Sequence, residues 1–253
     1  MTSADATTSD RPRPAAASHP SDPLAFAGAA PRGASLQAVE LACRRGERRL
    51  FSGLNLTLRP GQLLWLRADN GRGKTSLLRL LSGLAAPESG EVLLADRPVR
   101  KAAAVGLRPV YIGHANGLKE DLSATETLLF TARLHGRAGA AGQGEADLQA
   151  CRAALTRIGL AARIDAPVRT LSQGQRRRVA LARLALESEP LPWILDEPYD
   201  ALDTAGITAL DGLLGEHLAR GGSAILTSHQ ALAASAPPAQ TVWLGRTGIE
   251  VRA

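Results

Sequence analysis

Ala68-Asp69-Asn70-Gly71-Arg72-Gly73-Lys74-Thr75-Ser76 is the stretch on which the fold turns. An apolar run, Leu63-Leu64-Trp65-Leu66, precedes it, and leucines at helical spacing, Leu77, Leu78, Leu80, Leu81 and Leu84, follow. Strand, glycine-rich loop and helix in that order are the context of a phosphate-binding loop. Backbone N–H groups at a helix start, with the helix dipole behind them, attract an anion. Gly71 and Gly73 let the chain curl round phosphate oxygens with no Cβ in the way. In the pattern G-x-x-x-x-G-K-[ST], Lys74 reaches the β- and γ-phosphates and the Thr75 hydroxyl sits on Mg²⁺. The first glycine of that pattern falls at position 68, where alanine stands. Alanine fits there if its φ is negative.

Composition sets the bounds around this loop. The chain has 253 residues, 45% of them hydrophobic, enough to bury the core of one large α/β domain. No apolar run approaches the roughly 20 residues that cross a bilayer. The N-terminus has no apolar signal segment, so the sequence predicts a protein that is soluble or held at a membrane by a partner. Cys43 and Cys151 stand alone, which predicts reduced thiols and neither a disulfide nor a metal site. The net charge of +6 permits an anionic partner, but aromatics are only 3% of residues and form no stacking platform for bases. Arg176-Arg177-Arg178 is the one tight basic run, and solvated arginine faces are the expectation.

Residues 1–34 are rich in Ala, Pro, Ser, Asp and Thr, which predicts a disordered tail. Residues 35–253 read as the structured domain. Alternation in Leu54-Asn55-Leu56-Thr57-Leu58 predicts a half-buried strand closed by Pro60-Gly61. Short strands are expected at Val92–Leu94 and Val110–Ile112. Residues 116–172 read as a helical insert in which Ser123-Ala124-Thr125-Glu126 has capping-box spacing. Gly136 to Gly144 forms a glycine- and alanine-rich connection, and a helix follows over about Glu145–Ile158. Trp193-Ile194-Leu195 and Ala224-Ile225-Leu226 are wholly apolar, as strands covered on both faces are. Thr241–Leu244 and Ile249–Arg252 predict an edge hairpin.

Two further motifs carry chemistry. Trp193-Ile194-Leu195-Asp196-Glu197-Pro198 ends an apolar strand in two carboxylates. Asp196 suits Mg²⁺, which prefers hard oxygen ligands. Glu197 suits a general base acting on water. Leu171-Ser172-Gln173-Gly174-Gln175 opens a helix, where a serine hydroxyl and free N–H groups face outward. Read alone, that motif is only a helix cap.

In this order the motifs resemble the ATP-binding cassette family. The resemblance rests on Gly71, Gly73, Lys74 and Thr75, on Leu171–Gln175, on Asp196 and Glu197, on Ala201-Leu202-Asp203, and on Thr227-Ser228-His229. It implies an α/β fold of the P-loop NTPase type: a mixed sheet core, an antiparallel β subdomain and an inserted helical subdomain. It implies ATP and Mg²⁺ as cofactors and a head-to-tail homodimer. Asn70, Gly71, Arg72, Gly73, Lys74, Thr75 and Ser76 would bind nucleotide in one copy. Ser172, Gly174, Gln175 and Asp203 would approach it from the other. Thr75 and Asp196 would hold the metal, Glu197 would act on water, and His229 would bridge Glu197 and the γ-phosphate.

Two positions depart from the family pattern. Ala115 stands where most cassettes carry a glutamine that touches Mg²⁺ and senses the membrane partner, with His114 and Asn116 beside it. No aromatic residue occupies Cys43–Arg49, where many cassettes stack adenine, although Arg45 offers a guanidinium plane. The wording of Tyr111–Lys119, Leu122–Glu126, Leu50–Leu54 and Lys74–Arg79 is similar to the haem-exporter ATPases of bacterial cytochrome c maturation. That likeness implies a peripheral ATPase on the cytoplasmic side of the inner membrane, working with integral permease subunits and without nucleic acid. A cassette for another exporter, and one acting on nucleic acid or ribosomes, remain open at this point.

Overall fold

The computed structural model describes residues 33–136 and 144–251. The predicted tail up to residue 32 and most of the glycine- and alanine-rich connection lie outside those residues. The elements run, in chain order, β1 (Leu36–Arg45), β2 (Arg48–Leu58), β3 (Leu63–Arg67), α1 (Lys74–Leu81), β4 (Ser89–Leu94), β5 (Arg97–Pro98), α2 (Val99–Ala104) and β6 (Val110–Ile112). There follow α3 (Ala124–Leu134), α4 (Gly144–Arg157), α5 (Gln173–Ala182), β7 (Trp193–Leu195), α6 (Thr204–Ala219), β8 (Ala224–Thr227), β9 (Gln240–Leu244) and β10 (Ile249–Val251).

Two sheets form. One is antiparallel, in the order β2-β1-β4-β5. The other is mixed, in the order β10-β9-β3-β8-β7-β6, with parallel pairings from β9 to β6 and an antiparallel edge at β10. The apolar strands serve two cores because their side chains alternate between faces. Leu63, Trp193, Leu195, Ala224 and Leu226 join a core shared with residues of α3, α4, α5 and α6. Leu64, Leu66, Ile194 and Ile225 face the opposite way, into a core with α1 and the antiparallel sheet. The alternation in β2 has the same origin on a one-sided sheet: Leu54, Leu56 and Leu58 are buried while Asn55 and Thr57 are exposed. The carboxyl ends of β3, β6, β7 and β8 all reach one edge of the mixed sheet. In an open parallel sheet this is where ligands bind.

Both predicted serine starts are helix caps. Ser123 accepts from the Glu126 N–H and Glu126 reaches back to the Ser123 N–H, which closes a capping box on α3. Ser172 and Gln175 do the same on α5.

His217 on α6 is fully buried and stacks on Trp193, with ring centroids 3.8 Å apart and planes 7° from parallel. A Cβ at Gly222 would come within 2.2 Å of the imidazole, so glycine is there for room. Arg220 Nη2 donates to His217 Nδ1 at 3.2 Å, which requires an unprotonated nitrogen. Burial and then the Arg220 charge lower the His217 pKa from 6.5 to about 4. Between those values the unfolded chain binds a proton that the folded chain refuses. Stability is therefore complete above about pH 6.5 and falls as pH drops towards 4. Urea denaturation should show a lower midpoint at about pH 5 than at about pH 7. His217→Gln should shrink that difference; an unchanged difference would assign the acid sensitivity to other groups.

Candidate functional site

The loop between β3 and α1 is built on two left-handed glycines, Gly71 at φ 72° and Gly73 at φ 101°. Gly73 caps α1, and a Cβ there would press on Leu50 Cδ1 at 3.1 Å. Ala68 is not among the residues of positive φ. The missing first glycine is thus accommodated without backbone strain. Lys74 Nζ donates to the Ala68 carbonyl at 3.1 Å, and Arg72 Nε lies 3.5 Å from Asp69 Oδ2. Ser76 hydrogen-bonds the Cys43 thiol, whose pKa is pushed up chiefly by burial.

Asp196 and Glu197 follow β7 and are buried. Glu197 has φ 51°, a conformation that costs a side-chain-bearing residue roughly 1–2 kcal/mol. Neighbouring strands hold it there. The Thr227 hydroxyl, at the end of β8, accepts from the Glu197 N–H at 2.9 Å and donates to Asp196 Oδ1 at 3.0 Å. The His229 N–H donates to Glu197 Oε2 at 2.9 Å, and His229 Nε2 lies 3.5 Å from Glu197 Oε1. Asp196 Oδ2 and Glu197 Oε1 are buried with no hydrogen-bond partner. Such oxygens call for a cation or a water.

The loop from Asn70 to Ser76, the two carboxylates and His229 line one cavity of about 460 Å³, with Arg45 and Arg48 of the β1–β2 turn at its rim and His114 beside them. That volume suits a nucleotide-sized ligand. A second cavity of about 620 Å³ shares Thr75, His114 and Asp196 with the first. It runs between the segment after β6 and α3, where Phe130 and Leu134 are 46% and 69% exposed.

Ser172, Gly174, Gln175 and Asp203 line neither cavity. They form a group of their own. A Cβ on Gly174 would sit 2.4 Å from the Ala201 carbonyl, so the start of α5 packs directly on the backbone before α6. Arg178 pairs with Asp203, and Asp203 Oδ1 caps α6 through the Gly206 N–H at 2.8 Å. The Gly206 N–H and then Arg178 hold the Asp203 carboxyl below its usual range. Gln175 is occupied in its capping box, while the Ser172 hydroxyl accepts there and keeps its own proton free.

Two residues escape the sequence reading. Thr227 stands in a matched motif, but nothing in one strand announces that its hydroxyl spans two carboxylates. Arg177 corrects the expectation of solvated arginines: it is 3% exposed and donates to carbonyls after β6 and β7. Helical spacing, four residues before buried Leu181, puts it on the inner face of α5, but nothing local names its acceptors. Asn116 accepts from Arg177, and His114 is exposed and 3.6 Å from Asp200. Thr227→Val should lower stability by about 1–3 kcal/mol, because it strands the Glu197 N–H and an Asp196 oxygen in a buried place. A thermal midpoint equal to the wild type would dissolve that bridge.

Comparison with known proteins places the chain in a family. The ABC transporter family profile matches residues 51–200. The chain is 49% identical over 202 residues to the cytochrome c biogenesis ATP-binding export protein CcmA 2 of Cupriavidus metallidurans, covering 79% of this chain and 92% of that one. It is 50% identical over 200 residues to CcmA of Methylococcus capsulatus, covering 79% and 93%. Among solved structures it superimposes on a dimeric bacterial ABC transporter cassette with TM-score 0.73 at 20% identity, covering 85% of this chain and 96% of that one. With the phosphate loop, the paired carboxylates and the capped serine all within its fold, the chain belongs to the ABC transporter family.

Proposed function

We propose that this chain is the ATP-hydrolysing subunit of an export complex for cytochrome c biogenesis, with haem as the exported species or the group released to a chaperone. The carrying observation is the separation of two half-sites within one chain. The phosphate loop and carboxylates share a cavity, while Ser172, Gly174 and Asp203 lie outside it. A head-to-tail homodimer completes each cavity with the other copy's serine turn. Likeness to export proteins of cytochrome c biogenesis over 79% of the chain supports the assignment.

Asp196 and Thr75 would hold Mg²⁺. The unpartnered Asp196 Oδ2 and the nearby hydroxyl fit a hard cation that takes few protein ligands. When bound, the ion supplies charge neutralisation to the phosphates. Lys74 leaves the Ala68 carbonyl for the β- and γ-phosphate oxygens, and the N–H groups of the loop cradle them. Glu197, fixed through Oε2 by the His229 N–H, takes a proton from water. The water oxygen bonds to the γ-phosphorus, the bond to the bridging oxygen breaks, and ADP and phosphate form. His229 Nε2 sits where it can orient that water or a γ-oxygen. Arg45 and Arg48 offer guanidinium planes to the base in place of an aromatic ring.

Among the described residues no helix is long and apolar enough to cross a membrane. Integral permease subunits would place the dimer on the cytoplasmic face of the inner membrane. The groove beside α3, with exposed Phe130 and Leu134, suits an apolar helix of that partner.

Glu197→Gln should slow phosphate release by roughly 100-fold or more while ATP still binds and dimers accumulate in size-exclusion chromatography. Wild-type turnover in that variant would remove Glu197 from its role. Lys74→Ala should abolish fluorescent-nucleotide binding, and retained affinity would count against the loop as the phosphate site. Co-purification from membranes should recover haem-handling permease subunits; a different permease would redirect the export reading and leave the ATP chemistry standing.

A further inference from the structure

Arg177 lies about one and a half turns along α5 from Ser172. Its guanidinium makes five hydrogen bonds. Three go to consecutive carbonyls of the carboxylate turn: Asp196 at 2.9 Å, Glu197 at 2.8 Å and Pro198 at 3.3 Å. Two go to the segment after β6: the Gly113 carbonyl at 2.8 Å and Asn116 Oδ1 at 3.1 Å. Five acceptors match the five N–H donors of the fork. Burial pulls the Arg177 pKa down, and the charges of Asp200, Asp196 and Glu197 push it back up. A lysine, with three donors on a point charge, cannot reproduce this pattern.

The arrangement joins three parts. The first is Glu197, whose left-handed backbone has its carbonyl held by Arg177 and its N–H by Thr227. The second is the Gly113–Asn116 segment, which lines the groove beside α3 and includes Ala115. The third is α5 itself, whose first turn carries Ser172. Ala115 has no side chain to relay anything from that groove to the carboxylates. The guanidinium of Arg177 bonds to both segments.

We propose that Arg177 is a positioning residue that couples α5 and the Gly113–Asn116 segment to the backbone of Glu197, and so links the two ATP sites of a dimer through one helix. The inference rests on the ATPase reading above. When Ser172 engages the nucleotide of the second copy, α5 moves as a rigid rod. Arg177 carries that motion to the Glu197 carbonyl of its own site. The general base is thereby set in one site by occupation of the other.

The test uses the full chain with Arg177→Lys, Asn116→Ala and the double variant. Fluorescent-nucleotide affinity, kcat from phosphate release, the Hill coefficient for ATP and the thermal midpoint are measured for each. Arg177→Lys should bind nucleotide within about threefold of wild type, lose on the order of 10- to 100-fold in kcat, and bring the Hill coefficient towards one. Asn116→Ala should move kcat and the Hill coefficient the same way by less, and the double variant should fall short of the summed effects. Wild-type kcat and cooperativity in folded Arg177→Lys would overturn the proposal. So would equal losses of affinity and kcat, which mark a merely structural residue. Should Arg177→Lys not fold, unchanged kcat and cooperativity in Asn116→Ala would overturn it. A wild-type chain that binds no nucleotide would bring down the ATPase reading, and this inference with it.

Discussion

The hydroxyl of Thr227 is the bond on which the site depends. It exists because β7 and β8 run side by side in the same direction, with Leu195 opposite Leu226. One residue further, the chain after β7 turns out of the sheet while β8 continues, and the threonine side chain meets both carboxylates. A parallel pair delivers such a meeting only at its carboxyl edge. The apolar runs Trp193–Leu195 and Ala224–Leu226 are the condition for it, since each is clamped between two cores. The carboxylates can then be buried, with one oxygen of each left without a hydrogen bond, without the turn relaxing.

A similar rigidity holds the start of α5 apart from the cavity of its own chain. The start of α5 is fixed by a capping box, by the close approach of Gly174 to the Ala201 carbonyl, and by the Arg178–Asp203 pair. None of these contacts involves the phosphate loop. They present the Ser172 hydroxyl on a rigid support and away from the cavity of its own chain. Gly174 is needed within the chain, to let two backbone segments touch, whatever it meets in an assembly.

What is local is legible in the sequence. Capping boxes span four residues, the edge hairpin spans a few more, and β2 alternates with period two. The phosphate loop and the carboxylates are legible for the same reason: each sits in a strand–loop or strand–turn whose chemistry is contiguous. Thr227 and Arg177 are not, because their partners come from strands distant in sequence and adjacent only in the folded sheet. A charged residue in a sequence reads as a solvated one. Arg177 is buried because carbonyl dipoles converge on it, and convergence has no signature along a single chain. Ala68 shows the converse: a motif departure that looks strained in the sequence carries no left-handed backbone angle in the fold.

The ammonium of Lys74 rests on the neutral carbonyl of Ala68. A carbonyl dipole is a modest partner for a full positive charge, and a multiply charged phosphate is a far stronger one. The Ala68 carbonyl thus holds the lysine side chain against its own loop. In the proposed ATPase, phosphate binding would exchange one lysine partner for another, so that a ligand's charge is weighed before its base or sugar.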